Sequence, residues 1–301
     1  MIINLRLEPL ELTILRSLNE RMELPDKEKQ SLLTQQKGYQ GELQFDEWFR
    51  SLTTVGIYLQ NMLFECNQTM FQIDSLFITS NTIYIFEVKN YEGDFFIEGD
   101  RWYTLARNEI KNPLLQLNRS ENLFRRLLQD IGNTSPVKSY LVFIHPDFQL
   151  YQAPLHSPIV FSSQLNRFKR TLESHTSRLT SVYYKLAKKL FALQLSEYPY
   201  LRLPRYDFFS LDKGILCRAC NSNETTKHSN LIKCSKCGSS EKEDTAVKRM
   251  VEDYKLLFPK ERVTTSRVKE WCKIIESNKT FHRILKKYYS KQGDGKGTYF
   301  I

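Results

Sequence analysis

Long hydrophobic runs are missing from this 301-residue chain. No stretch stays apolar for the roughly 20 residues that a membrane-spanning helix needs. The first residues, Met1-Ile2-Ile3-Asn4-Leu5-Arg6-Leu7-Glu8, lack the basic-then-apolar order of a signal peptide. Cysteine is scarce, with six in all. Four of them fall in two C-x-x-C pairs, and Cys66 and Cys272 stand alone. That usage predicts a metal site and two single buried thiols in a reducing compartment, not a disulfide framework. A cytoplasmic protein without membrane contact is therefore expected. Histidine is scarcer still, with five residues. His145 reads as a structural residue at a strand end, and His156, His175 and His282 have no spacing that argues for catalysis. Internal repeats and low-complexity tracts are absent as well.

The charge that is present is unevenly spread. The formal net charge is +10. From Arg205 onward there are 21 Lys and Arg against 12 Asp and Glu; the first 204 residues hold 23 against 22. A basic module attached to a near-neutral one is the pattern of a protein drawn to nucleic acid or another polyanion.

The most informative residues lie in two consecutive strand-like segments, Phe71 to Ile78 and Ile83 to Lys89. They place Asp74, Glu87 and Lys89 inside runs that otherwise read as core. Burying charge is costly unless it is paired or binds a metal. Side chains alternate along a strand, so Glu87 and Lys89 share a face. The intervening Thr79-Ser80-Asn81-Thr82 is turn-like. With Ser80-Asn81 as a two-residue loop, paired positions add to 161, and Asp74 then faces Glu87 directly. Their Cβ atoms would be roughly 4.5–5.5 Å apart, where like charges repel. A bridging divalent cation removes that conflict, and hard oxygen ligands suit Mg²⁺ or Mn²⁺. Lys89 on the same face would orient or help deprotonate the attacking water, or stabilise charge developing on a phosphate. The alternative is a plain Glu87–Lys89 or Asp74–Lys89 ion pair without chemistry.

Around this hairpin, residues 1–37 are expected to form one or two helices. A helix opening at Lys37-Gly38-Tyr39-Gln40-Gly41-Glu42 and running to about Leu52 carries the stripe Phe45, Trp48, Phe49 and Leu52. Glu42 lies about 70° from the centre of that stripe, within reach of the carboxylates. Asn112-Pro113 starts a further helix bearing Gln116, because a proline early in a helix costs little. Val137 to Ile144 and Ile159 to Phe161 read as strands, and Tyr198 to Pro204 as a linker.

Cys217-Arg218-Ala219-Cys220 and Cys234-Ser235-Lys236-Cys237 are separated by 13 residues, the spacing of a zinc ribbon with four thiolates. His228 lies between the pairs as a spare ligand. About 25 residues cannot build a core, so metal binding should drive folding there. Lys213, Arg218, Lys227, Lys233 and Lys236 make the module either a phosphate-contacting surface or a spacer. Three helical patterns follow, then Gly293 to Gly297 and a last strand. That order resembles a winged helix-turn-helix, with Lys279, Arg283, Lys286 and Lys287 toward a groove and Lys296 in the wing. A small dimerisation domain is the competing reading.

The stretches Gly38-Tyr39-Gln40-Gly41-Glu42, Gln72-Ile73-Asp74, Ile83 to Tyr91 and Asn112-Pro113-Leu114-Leu115-Gln116 resemble the nuclease-related domain (NERD), a branch of the PD-(D/E)xK nuclease-like superfamily. The resemblance covers residues from about 38 to 150. It implies an α/β fold with a mixed central sheet flanked by helices. It also implies Mg²⁺ or Mn²⁺ ligation by Asp74 and Glu87, Lys89 as the catalytic lysine, Glu42 completing the site, and Gln116 in a substrate- or site-orienting role. Ile73 replaces the usual proline before the first acid. The expected organisation is 1–37 helical, 38–200 nuclease-like, 201–244 zinc ribbon and 245–301 winged-helix-like. The expected function is metal-dependent hydrolysis of DNA, with RNA as a possible substrate. Because the superfamily includes inactive members, the alternatives are an inactive nucleic-acid-binding protein and an assembly factor.

Overall fold

A computed structural model describes residues 4–174, 179–195 and 201–301. The side chain of Lys296, His175 and residues 198–200 of the expected linker lie outside the described residues. The chain forms two compact units: Met1–Pro9 with Leu33–Leu201, and Leu10–Leu32 with Arg202–Ile301. Among the described residues no helix is long and apolar enough to cross a membrane.

Helices α1 (Leu10–Asn19) and α2 (Asp26–Arg50) come first. The first unit is then built on strands β1 (Ile57–Cys66), β2 (Thr69–Ile78) and β3 (Ile83–Lys89). Next come β4 (Gly93–Glu98), β5 (Arg101–Thr104), β6 (Glu109–Ile110), helix α3 (Pro113–Asp130), β7 (Val137–Phe143), β8 (Phe148–Tyr151) and β9 (Ile159–Phe161). Helices α4 (Leu165–Glu173) and α5 (Ser181–Ala192) complete the unit.

The central sheet has the order β1-β2-β3-β7-β9. Its first three strands are antiparallel neighbours, whereas β3, β7 and β9 run parallel, so the sheet is mixed as expected. A smaller sheet, β6-β5-β4-β8, adjoins the same core through Ile97, Trp102 and Phe148. Strand alternation sorts β3 onto two helix-covered faces. Tyr84, Phe86 and Val88 pack with Phe45 and Phe49 of α2 and Phe168 of α4. Ile83 and Ile85 pack with Leu117 and Phe124 of α3 and Leu190 of α5. Burying both faces explains why these strands read as near-continuous apolar runs.

Helix α2 starts well before Lys37, where the sequence suggested an opening. Gly38 and Gly41 lie inside it. Glycine inside a helix costs roughly 0.5–1 kcal/mol relative to alanine. Gly41 has a packing reason: a Cβ there would come within 2.4 Å of the Cβ of Asn90, just past β3. The Asn90 amide also donates to the Lys37 carbonyl at 2.8 Å, pinning helix to strand end. A Cβ at Gly38 would meet nothing within 4 Å. The two alanine substitutions should therefore have opposite signs. Gly38→Ala should raise the melting temperature through helix propensity. Gly41→Ala should lower it and displace the neighbouring Glu42. Thermal melts of both variants check this, and equal shifts would contradict the close approach.

The second unit contains β10 (Thr225–His228), β11 (Leu231–Cys234) and β12 (Ser240–Lys242) in one antiparallel sheet. Helices α6 (Glu243–Leu257), α7 (Thr265–Cys272) and α8 (Asn278–Tyr288) follow, then the pair β13 (Lys291–Gln292) and β14 (Tyr299–Phe300). Val263, just before α7, bridges Phe300. Helix, single bridging residue, two helices and a terminal strand pair make a winged-helix-like order. The core of this unit gathers Tyr254, Phe208 and Trp271, and α1 buries Leu12, Leu15 and Leu18. Arg21 is buried over the Trp271 ring at 4.0 Å and paired to Asp253 at 2.8 Å.

Candidate active site

The expected hairpin register is present. Ile78 pairs with Ile83 and Ser75 with Phe86, and the Thr79 amide donates to the Thr82 carbonyl at 3.0 Å. The ladder stops at Ser75–Phe86, however, one step short of Asp74 and Glu87. Strand β3 keeps its other neighbour, β7, through Glu87, Val88 and Lys89. The two strands thus fork where the acids sit. The Asp74 carboxylate fills the opened edge by accepting the Val88 amide through Oδ2 at 2.8 Å. The expectation of a directly paired Asp74 and Glu87 is corrected to this extent: the register holds, but the pair lies in the fork beyond the ladder.

A second irregularity coincides with it. Along β1, Ile57 and Leu59 and then Met62 and Phe64 enter the same core cluster, and along β2 so do Phe71 and Ile73 and then Leu76 and Ile78. Alternation slips by one residue in both strands, while the register stays in step from Gln60–Ser75 to Met62–Ile73. The skipped position is Asn61 opposite Asp74, and Asn61 has a φ of 51°. Irregular backbone of this kind re-aims side chains and is common beside functional sites.

Side chains from both faces meet at the fork. Lys89 Nζ lies 2.7 Å from Glu87 Oε1 and 3.1 Å from Gln116 Oε1 on α3. From α2, Glu42 is held by Arg6 at 2.5 Å through Oε2. Asp74 and Glu87 are buried, and the Glu42 side chain is 18% exposed. Burial pushes the Glu87 carboxyl up to about 8, and the charge of Asp74 adds to this while Lys89 opposes it. Burial and then Asp74 likewise raise Glu42 to about 7 against the pull of Arg6. Burial disfavours the Lys89 charge, but Glu87 and Asp74 more than offset it and hold its ammonium above the ordinary range.

These acids have a stability consequence. A carboxyl whose folded pKa is raised binds more protons folded than unfolded, so stability falls as pH rises. The contribution is complete below the unfolded value of 4.5 and is lost as pH passes through about 7 for Glu42 and about 8 for Glu87. Metal-free protein should therefore melt at lower temperature at pH 9 than at pH 6, and Mn²⁺ should reduce the loss. Scanning calorimetry at constant ionic strength reads this, and a flat profile would contradict it.

Residues 37–144 match the nuclease-related domain family. This segment is a nuclease-related domain. No curated protein matches the chain. One solved structure, protein VC1899 from Vibrio cholerae, aligns at 13% identity over 56% of this chain and 50% of that one, with a TM-score of 0.27. The alignment thus spans half the length of that protein, and a likeness this low carries no argument.

The nuclease-related domain contains Glu42, Asp74, Glu87, Lys89 and Gln116, and its fold brings all five to the fork. Polar residues that sequence reasoning missed also gather there. Asp46 is fully buried, pairs with Arg6 at 2.8 Å and accepts the Tyr58 hydroxyl at 2.6 Å. Its spacing of four from Glu42 on a helix was a usable signal. Ser75, hydrogen-bonded to Tyr58 at 2.8 Å, and Arg6 itself offered no such signal.

A fit to a hard divalent cation rests on the donor set. Each of the three carboxylates commits one oxygen to a protein donor: Asp74 to Val88, Glu87 to Lys89 and Glu42 to Arg6. The second oxygens are hard donors suited to such a cation, although those of Glu42, Asp74 and Glu87 do not all lie within 4.8 Å of one another. The second cluster is soft and tighter. Among the described residues, the four cysteine sulfurs are the one group of three or more such ligands lying within 4.8 Å of one another. Cys217 and Cys237 Sγ are 3.6 Å apart and Cys220 and Cys234 Sγ 3.7 Å, close to the edge of about 3.8 Å of a tetrahedron with Zn–S bonds of ~2.3 Å. Each C-x-x-C turn closes on a left-handed residue, Asn221 at φ 57° and Gly238 at φ 74°. The Asn221 and Gly238 amides donate to the Cys217 and Cys234 carbonyls at 3.0 Å. The cluster is consistent with a structural zinc. His228 is hydrogen-bonded to Thr226 and stays outside it.

On α8, Lys279, Arg283, Lys286 and Lys287 are all exposed. Arg283 and Lys287 are already paired with Asp244 of α6, at 2.7 and 3.2 Å.

Proposed function

We propose that the protein is a metal-dependent nuclease that hydrolyses DNA phosphodiester bonds at the β2–β3 fork. The observation that carries this reading is the meeting of three carboxylates and a lysine where β2 and β3 part. Asp74 and Glu87 would hold Mg²⁺ or Mn²⁺ through their uncommitted oxygens, with Glu42 completing the site. The chemistry supplied by such an ion is a water acidified at neutral pH and a polarised phosphate oxygen. Lys89 enters as a cation, because Glu87 and Asp74 keep its proton on. It therefore stabilises charge on the phosphate instead of serving as the base. Gln116 orients Lys89 through its 3.1 Å contact. Burial of the fork strengthens each of these interactions over its value in water.

Incubating the purified protein with single-stranded, duplex and branched DNA and with RNA tests this. Cleavage of at least one DNA substrate is expected with Mg²⁺ or Mn²⁺ and none with a chelator. No cleavage of any substrate would leave the inactive nucleic-acid-binding reading in its place.

The ribbon and the winged-helix-like segment would bind the substrate, with the zinc holding the ribbon folded. Lys279 and Lys286 are the cations of α8 best placed to meet phosphate, since Arg283 and Lys287 already share Asp244. Replacing both lysines with glutamate should weaken DNA binding and reduce the slope of log K against log salt by about 2. An unchanged slope in binding titrations would remove α8 from the interface.

A further inference from the structure

We propose that Arg6 is a positioning residue of the acid site, setting Glu42 and the Asp74 backbone beside the divalent cation that Asp74 and Glu87 would hold. The inference rests on the fork being a metal site. Arg6 lies outside the matched segment, which begins at residue 37. It arrives on a stretch without helix or strand, Asn4 to Pro9.

That stretch is addressed to one place. The Asn4 amide donates to the Gln60 carbonyl at 2.5 Å, and the Gln60 amide donates back to Asn4 Oδ1 at 2.8 Å. The Arg6 amide donates to Gln60 Oε1 at 2.8 Å. Gln60 is the last paired residue of β1 before the skipped Asn61. The terminal stretch therefore docks beside the slip that turns Asp74.

The guanidinium then divides its donors. Nε and Nη2 fork onto the two oxygens of Asp46 at 2.8 and 3.2 Å. Nη1 donates to Glu42 Oε2 at 2.5 Å. Nη2 also donates to the Asp74 carbonyl at 2.7 Å and to Ser75 Oγ at 3.1 Å. A buried ion pair serving stability alone would need only Asp46. The remaining donations go to two of the three carboxylate-bearing residues of the fork, and Asp74 is thereby held at both ends, by Arg6 on its carbonyl and by Val88 on its carboxylate. Only a planar fork with five donors does this; an ammonium is a single point of charge. The anchor is rigid, because Asp46 is fully buried and also bonded to Tyr58.

The test is Mn²⁺ titration of the zinc-loaded full chain, read by the electron paramagnetic resonance signal of free Mn²⁺, beside thermal melts without Mn²⁺. Arg6→Lys keeps the charge and loses the fork. It should weaken Mn²⁺ binding about 10- to 100-fold, the usual effect of removing a group that orients a ligand. Leu172→Ala, at a buried apolar residue of α4, should lower the melting temperature and leave Mn²⁺ affinity unchanged. Should Arg6→Lys not fold, the paired Arg6→Gln/Asp46→Asn variant removes both buried charges together and should show the same weakening. Wild-type Mn²⁺ affinity in the folded Arg6 variants would overturn the positioning role while leaving the metal site standing. Equal weakening in Leu172→Ala would reduce Arg6 to a structural pair. A wild-type protein that binds no Mn²⁺ would overturn the metal site, and this inference with it.

Discussion

Lys89→Ala should cut DNA cleavage by at least about 10²–10³-fold, the usual cost of removing a preorganised charge stabiliser, with the fold retained. Retention follows from the site's electrostatics. Lys89 lies 2.7 Å from Glu87, so its loss leaves a buried carboxyl without its partner. An unpaired buried charge would be severely destabilising. Lys89 is the group that opposes the rise of the Glu87 carboxyl to about 8, so without it the carboxyl stays protonated near neutral pH and no unpaired charge is left buried. Circular dichroism should therefore be unchanged while cleavage disappears. Cleavage surviving in the alanine variant would place the chemistry elsewhere.

The second large effect is metal loss from the cysteine cluster. The ribbon's interior consists of little beyond Ile215, Leu216, Ile232, Cys217, Cys234 and Thr225. So small a core cannot offset the chain entropy of ordering the segment. Zinc binding worth ~10–16 kcal/mol would supply the difference. Cys234→Ser or strong chelation should make residues 215–242 the first site of protease cleavage, with release of about one zinc per chain. A metal-free ribbon that resists protease would contradict a structural zinc.

Much of the site is legible in local sequence. Thr79 to Thr82 sets the turn, the turn sets the register, and the register brings Asp74 opposite Glu87. Asn112-Pro113 marks the start of α3 and so places Gln116; the Asn112 side chain caps the helix by accepting the Leu114 amide at 2.9 Å. The cysteine spacing gives the ribbon directly. What stays hidden is what depends on chain segments distant in sequence. The fork exists because β3 keeps β7 after losing β2, and no local pattern encodes where two strands part. The slip at Asn61 and Asp74 needs a left-handed asparagine that looks like any other. Gly41 reads as a helix boundary, although it serves a close approach to Asn90. Arg6 lies in a polar terminal stretch whose value comes from partners 36 to 69 residues away.

A crystal of the protein grown with Mn²⁺ and measured for anomalous scattering tests the central claim most directly. A peak is expected at the fork, with carboxylate oxygens of Asp74 and Glu87 at about 2.0–2.6 Å. A separate zinc peak is expected among the four cysteines. Density at the cysteines with none at the fork would contradict a metal-dependent active site between Asp74 and Glu87.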